Sequence, residues 1–164
     1  MKSTGEVLGI GKTLPEALFK GLTAAGFKVP AANSQGKTGV LLSVEENDYQ
    51  EIISLAKRFY DMGFNIEATT MTADYLNAHG VPARKLRNLS EGSDDSLRSI
   101  RSGYVSYIIN TRAILSGVHY INGVAMRSCA VEHGVTTFTS LDTVRIVLDV
   151  LEELTNKVST IDEE

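Results

Sequence analysis

Phe64-Asn-Ile-Glu-Ala-Thr-Thr-Met-Thr-Ala-Asp-Tyr-Leu76 is the stretch that decides the fold. Phe64, Ile66 and Ala68 alternate with polar residues, the period of a short strand. Thr69 to Thr72 then place three hydroxyls within four residues. From Tyr75 and Leu76 a helical pattern begins, and Gly80 ends it at a C′ position. A strand, a hydroxyl-rich turn and a helix in succession aim hydroxyls and free backbone N–H groups at a helix N-terminus. Such a point attracts an anion, most often a phosphate. The competing reading is that these threonines only cap a helix.

Upstream, Val40 to Val44 reads as a buried strand. Asn47-Asp-Tyr-Gln50 resembles a helix cap, followed by an apolar stripe of Ile52, Ile53, Leu55, Ala56 and Phe59 that Gly63 closes. Nearer the start, Thr4 to Lys12 reads as a short strand or extended arm. Thr13-Leu-Pro-Glu16 is a capping box with Pro15 in the first helical turn. Ala17, Leu18, Leu22 and Ala25 share one face of that helix, Gly26 ends it, and Val29 to Lys37 is a polar loop.

Downstream, Ala83 to Leu89 is extended and carries Arg84, Lys85 and Arg87. Ser90 to Ser102 is a loop with a short helix. Val105 to Ile109 is a strand running into Asn110-Thr111-Arg112. Thr111 to Gly123 reads as a loop, Val124 to Glu132 as a helix ended by Gly134, and Thr136 to Phe138 as a last strand. Ser140 caps a helix over Leu141 to Leu154, and 155–164 is a polar tail expected to fray.

Strands alternate with helices throughout, which predicts an α/β three-layer, Rossmann-like sandwich with a central, mainly parallel sheet, as one domain over 1–164. Ligands of such sheets sit beyond the carboxyl ends of the strands. Those ends carry Ser43, Thr69 with Thr72, Arg87 with Asn88, and Asn110 with Thr111. Hydroxyls, an amide and cations converging from four strands describe a site for a phosphorylated small molecule.

Composition narrows the classes. Apolar residues are 43% and charged residues 22% of the 164, the balance of a globular domain with a sizeable core. The net charge of −4 leaves no general nucleic-acid footprint. No apolar run is long enough to span a bilayer, and Met1-Lys-Ser-Thr-Gly-Glu6 has no apolar signal core. Cys129 is the single cysteine, read as a small buried hydrophobe, so the expected compartment is a reducing cytoplasm. With His79, His119 and His133 scattered, no metal-ligand spacing is present and no metal is expected.

These residues resemble the C-terminal regulatory domain of the large subunit of carbamoyl phosphate synthetase, which has the methylglyoxal-synthase-like fold. The resemblance rests on Met1-Lys-Ser-Thr-Gly-Glu-Val7, Leu41-Leu-Ser43, Glu67-Ala-Thr-Thr-Met-Thr-Ala73, Tyr107-Ile-Ile-Asn-Thr111 and Thr139-Ser-Leu-Asp-Thr143, and it covers essentially the whole chain. In that family the opening heptad lies inside a longer chain, where an ATP-using synthetase domain hands over to the regulatory domain. The resemblance therefore implies a piece of a larger enzyme, with 1–12 at the junction. It implies a parent ligase that makes carbamoyl phosphate for pyrimidine and arginine synthesis using ATP with Mg or Mn, and that works with a glutamine amidotransferase small subunit.

For this domain it implies no catalytic residue and no cofactor of its own. The implied roles are oligomer contacts and the binding of a nucleotide effector such as UMP, IMP or phosphoribosyl pyrophosphate. Ser43, Thr69, Thr72, Asn110 and Thr111 match positions that contact the effector phosphate and ribose, with Arg87, Asn88 and Arg112 beside them. Tyr49 and Asn88 stand where the family commonly has phosphate-binding lysines, Met71 replaces a turn glycine, and Arg112 replaces a threonine. Lys85, Arg87 and Arg112 are the nearby cations that could compensate, against the alternative of solvated surface charge.

Two other functions fit the same fold. One is a free-standing phosphate-elimination enzyme like methylglyoxal synthase, whose Gly-Gly-Asp and Trp-Asp-Pro motifs are both absent here. Its general base would have to be Glu67 or Asp74, each read as solvated or capping. The other is a docking domain that has lost effector binding.

Overall fold

The computed structural model describes residues 38–111 and 118–162, with side chains at Ser90, 118–122 and 154–162 left aside. The expected strand, capping box, helix and loop before Thr38 fall outside the described residues, as does Arg112.

β1 (Gly39–Ser43) is buried at every position. A continuous apolar run of this kind suits a strand covered on both faces by helices. Gly39 is required there, because a Cβ would lie 2.8 Å from Cε1 of Tyr104. Around β1 stand β2 (Asn65–Thr69), β3 (Arg84–Leu86), β4 (Val105–Asn110) and β5 (Thr136–Phe138), in the order β3-β2-β1-β4-β5. The five strands among the described residues are all parallel. The chain winds from β1 outward to β3, then crosses back to lay β4 on the other side of β1. The strand order therefore reverses between β1 and β4, and a crevice opens at their carboxyl ends.

Each face of the sheet has its own helices. α1 (Tyr49–Asp61) turns Ile52, Leu55, Ala56 and Phe59 inward. Phe59 packs against Phe64 at 5.2 Å and Tyr107 at 6.4 Å, and Tyr107 meets Phe138 at 5.8 Å between ring centroids. Burial pushes the Tyr107 hydroxyl well above its ordinary pKa. α2 (Thr70–Ala78) lies beside α1, with Tyr75 stacked on Tyr49 at 4.8 Å. On the opposite face, Leu41 and its register partner Ile108 pack with Ile100 of α3 (Asp95–Arg101) and with Met126, Cys129 and Ala130 of α4 (Val118–Glu132). These are three layers of an α/β sandwich, as the alternation of elements predicts.

Ala32–Leu141 forms one compact unit. α5 (Leu141–Asp162) continues beyond it and buries Val144, Val147, Leu148 and Leu151 at helical spacing. No helix among the described residues is long and apolar enough to cross a membrane.

Several boundaries differ from the sequence reading. No side chain caps α1; a 3-10 turn at Glu46–Asp48 precedes it, so the Asn47 box does not form. α2 begins at Thr70 rather than near Tyr75: Thr69 ends β2 in extended conformation and is at once the N-cap, leaving no turn between them. α4 starts at Val118, not Val124. The backbone of α5 stays helical to Asp162, beyond the expected end at Leu154. Periodicity and caps read along the sequence locate a helix but not its exact ends. Gly80, with φ of 83°, does follow the α2 C-cap as expected.

Candidate functional site

The crevice between β1 and β4 is built from strand ends. Register pairs Ser43 directly with Asn110, and the N–H of Thr111 donates to the carbonyl of Ser43 at 3.2 Å. Two residues past Ser43, the backbone N–H of Glu45 donates to Thr111 Oγ1 at 3.1 Å, which ties the chain leaving β1 to the chain leaving β4. From β2, Thr69 Oγ1 donates to Ser43 Oγ at 3.3 Å. From the first turn of α2, Thr72 Oγ1 accepts the N–H of Val44 at 3.4 Å. Ser43, Thr69, Thr72, Asn110 and Thr111, all nominated from the sequence, thus form one cluster.

That cluster is mostly a floor. Ser43, Thr69, Thr72 and Asn110 are buried, and the three hydroxyls among them tie the end of β1 to the end of β2 and to the first turn of α2. Above them the first turn of α2 presents N–H groups that have no acceptor inside the helix and carry the positive end of its dipole. Three threonines in this turn face three different partners: Thr69 faces Ser43, Thr72 faces Val44, and Thr70 Oγ1 donates to Glu91 Oε2 at 2.8 Å. The hydroxyls therefore do not converge on one point, as the strand-turn-helix reading expects.

Glu91 is the residue that sequence reasoning missed here. The same Oε2 that receives Thr70 also receives the N–H of Asn88 at 2.8 Å. The Asn88 N–H, and after it the Thr70 hydroxyl, hold the Glu91 carboxyl below its usual pKa. A carboxylate thus stands against the first residue of α2, where a ligand anion would also be favoured. The signal available in the sequence was Glu91 three residues after Asn88, the spacing of a capping box.

The flanking residues divide. Asn88 is brought within one carboxylate oxygen of Thr70 and so adjoins the site. Arg87 is turned aside: its Nε lies 3.5 Å from Asp95 Oδ2, and its side chain is mostly exposed. Lys85 pairs with Asp74 at 2.5 Å, so neither is a free charge at the site. Met71 is 56% exposed and projects from the helix rather than filling the crevice. Tyr49 is buried against Tyr75. Glu67 corrects its sequence reading, for it is 2% exposed and accepts Ser99 Oγ at 2.5 Å. A strand inside a parallel sheet has no solvent face, so the polar phase of its alternation is buried too. No group of three or more His, Cys, Asp or Glu among the described residues could hold a metal ion.

Comparison with known proteins agrees with this architecture. The family model of the MGS-like domain matches residues 51–139, more than half of the chain. Among solved structures, methylglyoxal synthase from Elizabethkingia anophelis superposes with a TM-score of 0.54 at 14% identity, over 68% of this chain and 77% of that one. At that identity the likeness is one of fold.

Proposed function

The chain belongs to the MGS-like domain family, and within that family we propose that it is an effector-binding domain for a phosphorylated metabolite, without chemistry of its own. The observation that carries this is the cluster of Ser43, Thr69, Thr72, Asn110 and Thr111 at the β1/β4 reversal, beneath the N-terminus of α2. The ligand phosphate sits over the first turn of α2, and its sugar lies toward Asn110 and Thr111. In the finer reading the domain regulates a carbamoyl phosphate synthetase large chain through UMP, IMP or phosphoribosyl pyrophosphate, as the sequence resemblance implies.

Methylglyoxal synthase activity is the second reading, favoured by the fold of the Elizabethkingia enzyme. Against it, the chain contains no tryptophan and so no Trp-Asp-Pro turn. The two carboxylates first nominated as a base are also engaged elsewhere, Glu67 with Ser99 and Asp74 with Lys85.

The deciding experiment titrates UMP, IMP and phosphoribosyl pyrophosphate into the chain by calorimetry, with a parallel assay of dihydroxyacetone phosphate turnover. Saturable binding of at least one nucleotide or sugar phosphate, without turnover, is expected. Methylglyoxal formed in proportion to protein would overturn the effector reading in favour of the enzyme.

A further inference from the structure

A second concavity lies on the α3 face of the sheet, toward the amino end of β3, and shares no residue with the Ser43 cluster. It has a volume of about 280 Å³ and is lined by Glu67, Arg84, Arg98, Ser99, Ser102 and Tyr104, among others. That size lies near the lower limit of small-molecule sites, roughly 300–1,000 Å³, and admits only a compact ligand.

Its charges are unusual in how they are committed. The Glu67 carboxylate is 2% exposed, and Ser99 Oγ is the one hydrogen-bond donor it has among the described residues. An ionised carboxylate offers about four lone-pair sites, and burying one is costly unless a cation or several donors meet it. The cation expected to do so is Arg84, which the β2–β3 register sets directly opposite Glu67. Arg84 lines the same cavity, yet it forms no ion pair with Glu67 or any other described acid. The other charges nearby are taken: Arg98 bonds Asp94 and Asp95, and Asp95 also holds Arg87. Tyr104 closes one wall, and burial together with the Glu67 charge raises its hydroxyl pKa.

One buried anion and one guanidinium without an ion pair among the described residues thus face the same small cavity without neutralising each other. An anionic ligand would meet Glu67, a cationic one would meet Arg84, and a neutral one would leave both unpaired. We propose that this groove binds a small zwitterion, a free amino acid or similar short molecule, with its ammonium on Glu67 and its carboxylate on Arg84. Arg84 supplies the planar fork that carboxylates accept in bidentate fashion, and Glu67 supplies a desolvated charge for the ammonium. Ser99 orients the Glu67 carboxylate, and Ser102 is anchored by donating to the Ser99 carbonyl at 2.7 Å.

The test is an amide NMR titration of the full chain with glycine, β-alanine and 4-aminobutyrate, which graduate the distance between the two charges. Acetate and methylammonium serve as single-charge controls. Saturable shifts at Glu67, Ser99, Ser102 and Tyr104 are expected with at least one zwitterion, leaving Ser43 and Asn110 unmoved. Each control should bind about tenfold or more weakly, as the loss of one charged contact implies. Arg84→Gln should weaken the zwitterion by a similar factor; its exposed side chain, with no ion pair among the described residues, makes that variant safe for folding. Glu67→Gln, whose amide carbonyl can still accept Ser99, should do the same. No saturable shift at these amides at millimolar ligand, acetate binding as well as the zwitterion, or an Arg84→Gln variant with unchanged affinity would each overturn the proposal. Arg84→Gln decides alone if Glu67→Gln does not fold.

Discussion

Thr69 Oγ1 and Ser43 Oγ, on neighbouring parallel strands, meet at 3.3 Å with both side chains withdrawn from solvent. This contact joins the end of β2 to the end of β1 and sets the N-cap of α2 over the crevice. Thr69→Val keeps the shape and removes the donor. It should lower stability by about 1 kcal/mol, the net worth of one buried hydrogen bond. Urea unfolding should show the midpoint falling with the slope unchanged. A midpoint equal to wild type would mean that the hydroxyl pair contributes nothing to the floor of the site.

Glu91 stands where a ligand anion would approach Thr70. Glu91→Gln retains an oxygen acceptor for the Thr70 hydroxyl and the Asn88 N–H while removing the negative charge. Inorganic phosphate and UMP should therefore bind more tightly to the variant at pH 7. Calorimetry that finds affinity unchanged or reduced would show that Glu91 does not oppose the anion.

Asn88 adjoins Thr70 through the same Glu91 oxygen, and the family resemblance places a lysine at this position. Asn88→Lys supplies a charged contact of about 1.5–3 kcal/mol, so UMP affinity should rise by roughly one to two orders of magnitude. Tyr49 is the poorer place to restore a cation, since its ring is buried against Tyr75. An Asn88→Lys variant no better than wild type would refute a phosphate over the first turn of α2.

Gly39 abuts Tyr104 so closely that a methyl group would sit 2.8 Å from Cε1 of the ring. Gly39→Ala should destabilise by about 1–3 kcal/mol, the range for overpacking a close-fitted core. Thermal unfolding is the measurement, and a melting temperature equal to wild type would show that Tyr104 yields without strain.

Asp95 carries the clearest pH signature. The Ser93 hydroxyl, then the Arg87 N–H and Arg98, lower its pKa from the usual 3.8 to about 2. A carboxylate depressed in the folded state binds its proton more readily when unfolded. Its contribution is therefore complete above 3.8 and disappears as pH falls toward about 2. Asp95→Asn should flatten the loss of stability across that window, with its largest deficit against wild type at neutral pH. Parallel stability curves for the two proteins would remove Asp95 from the acid transition.

The sequence alone determined the α/β alternation, the parallel sheet and the places of its strands, since an apolar run such as Val40 to Val44 and a period such as Phe64, Ile66, Ala68 are local properties of the chain. It also determined which strand ends carry hydroxyls and amides, because the carboxyl end of each strand is named once the strand is placed. Only the tertiary structure decided what those groups face. Thr69, Thr70 and Thr72 are near neighbours in sequence, yet their partners lie 26, 21 and 28 residues away. Glu67 is buried because α3 covers its face of β2, and Ser99 reaches it from 32 residues away. Hydrogen-bond partners at such separations are fixed by strand order and helix packing, neither of which any local window of sequence contains.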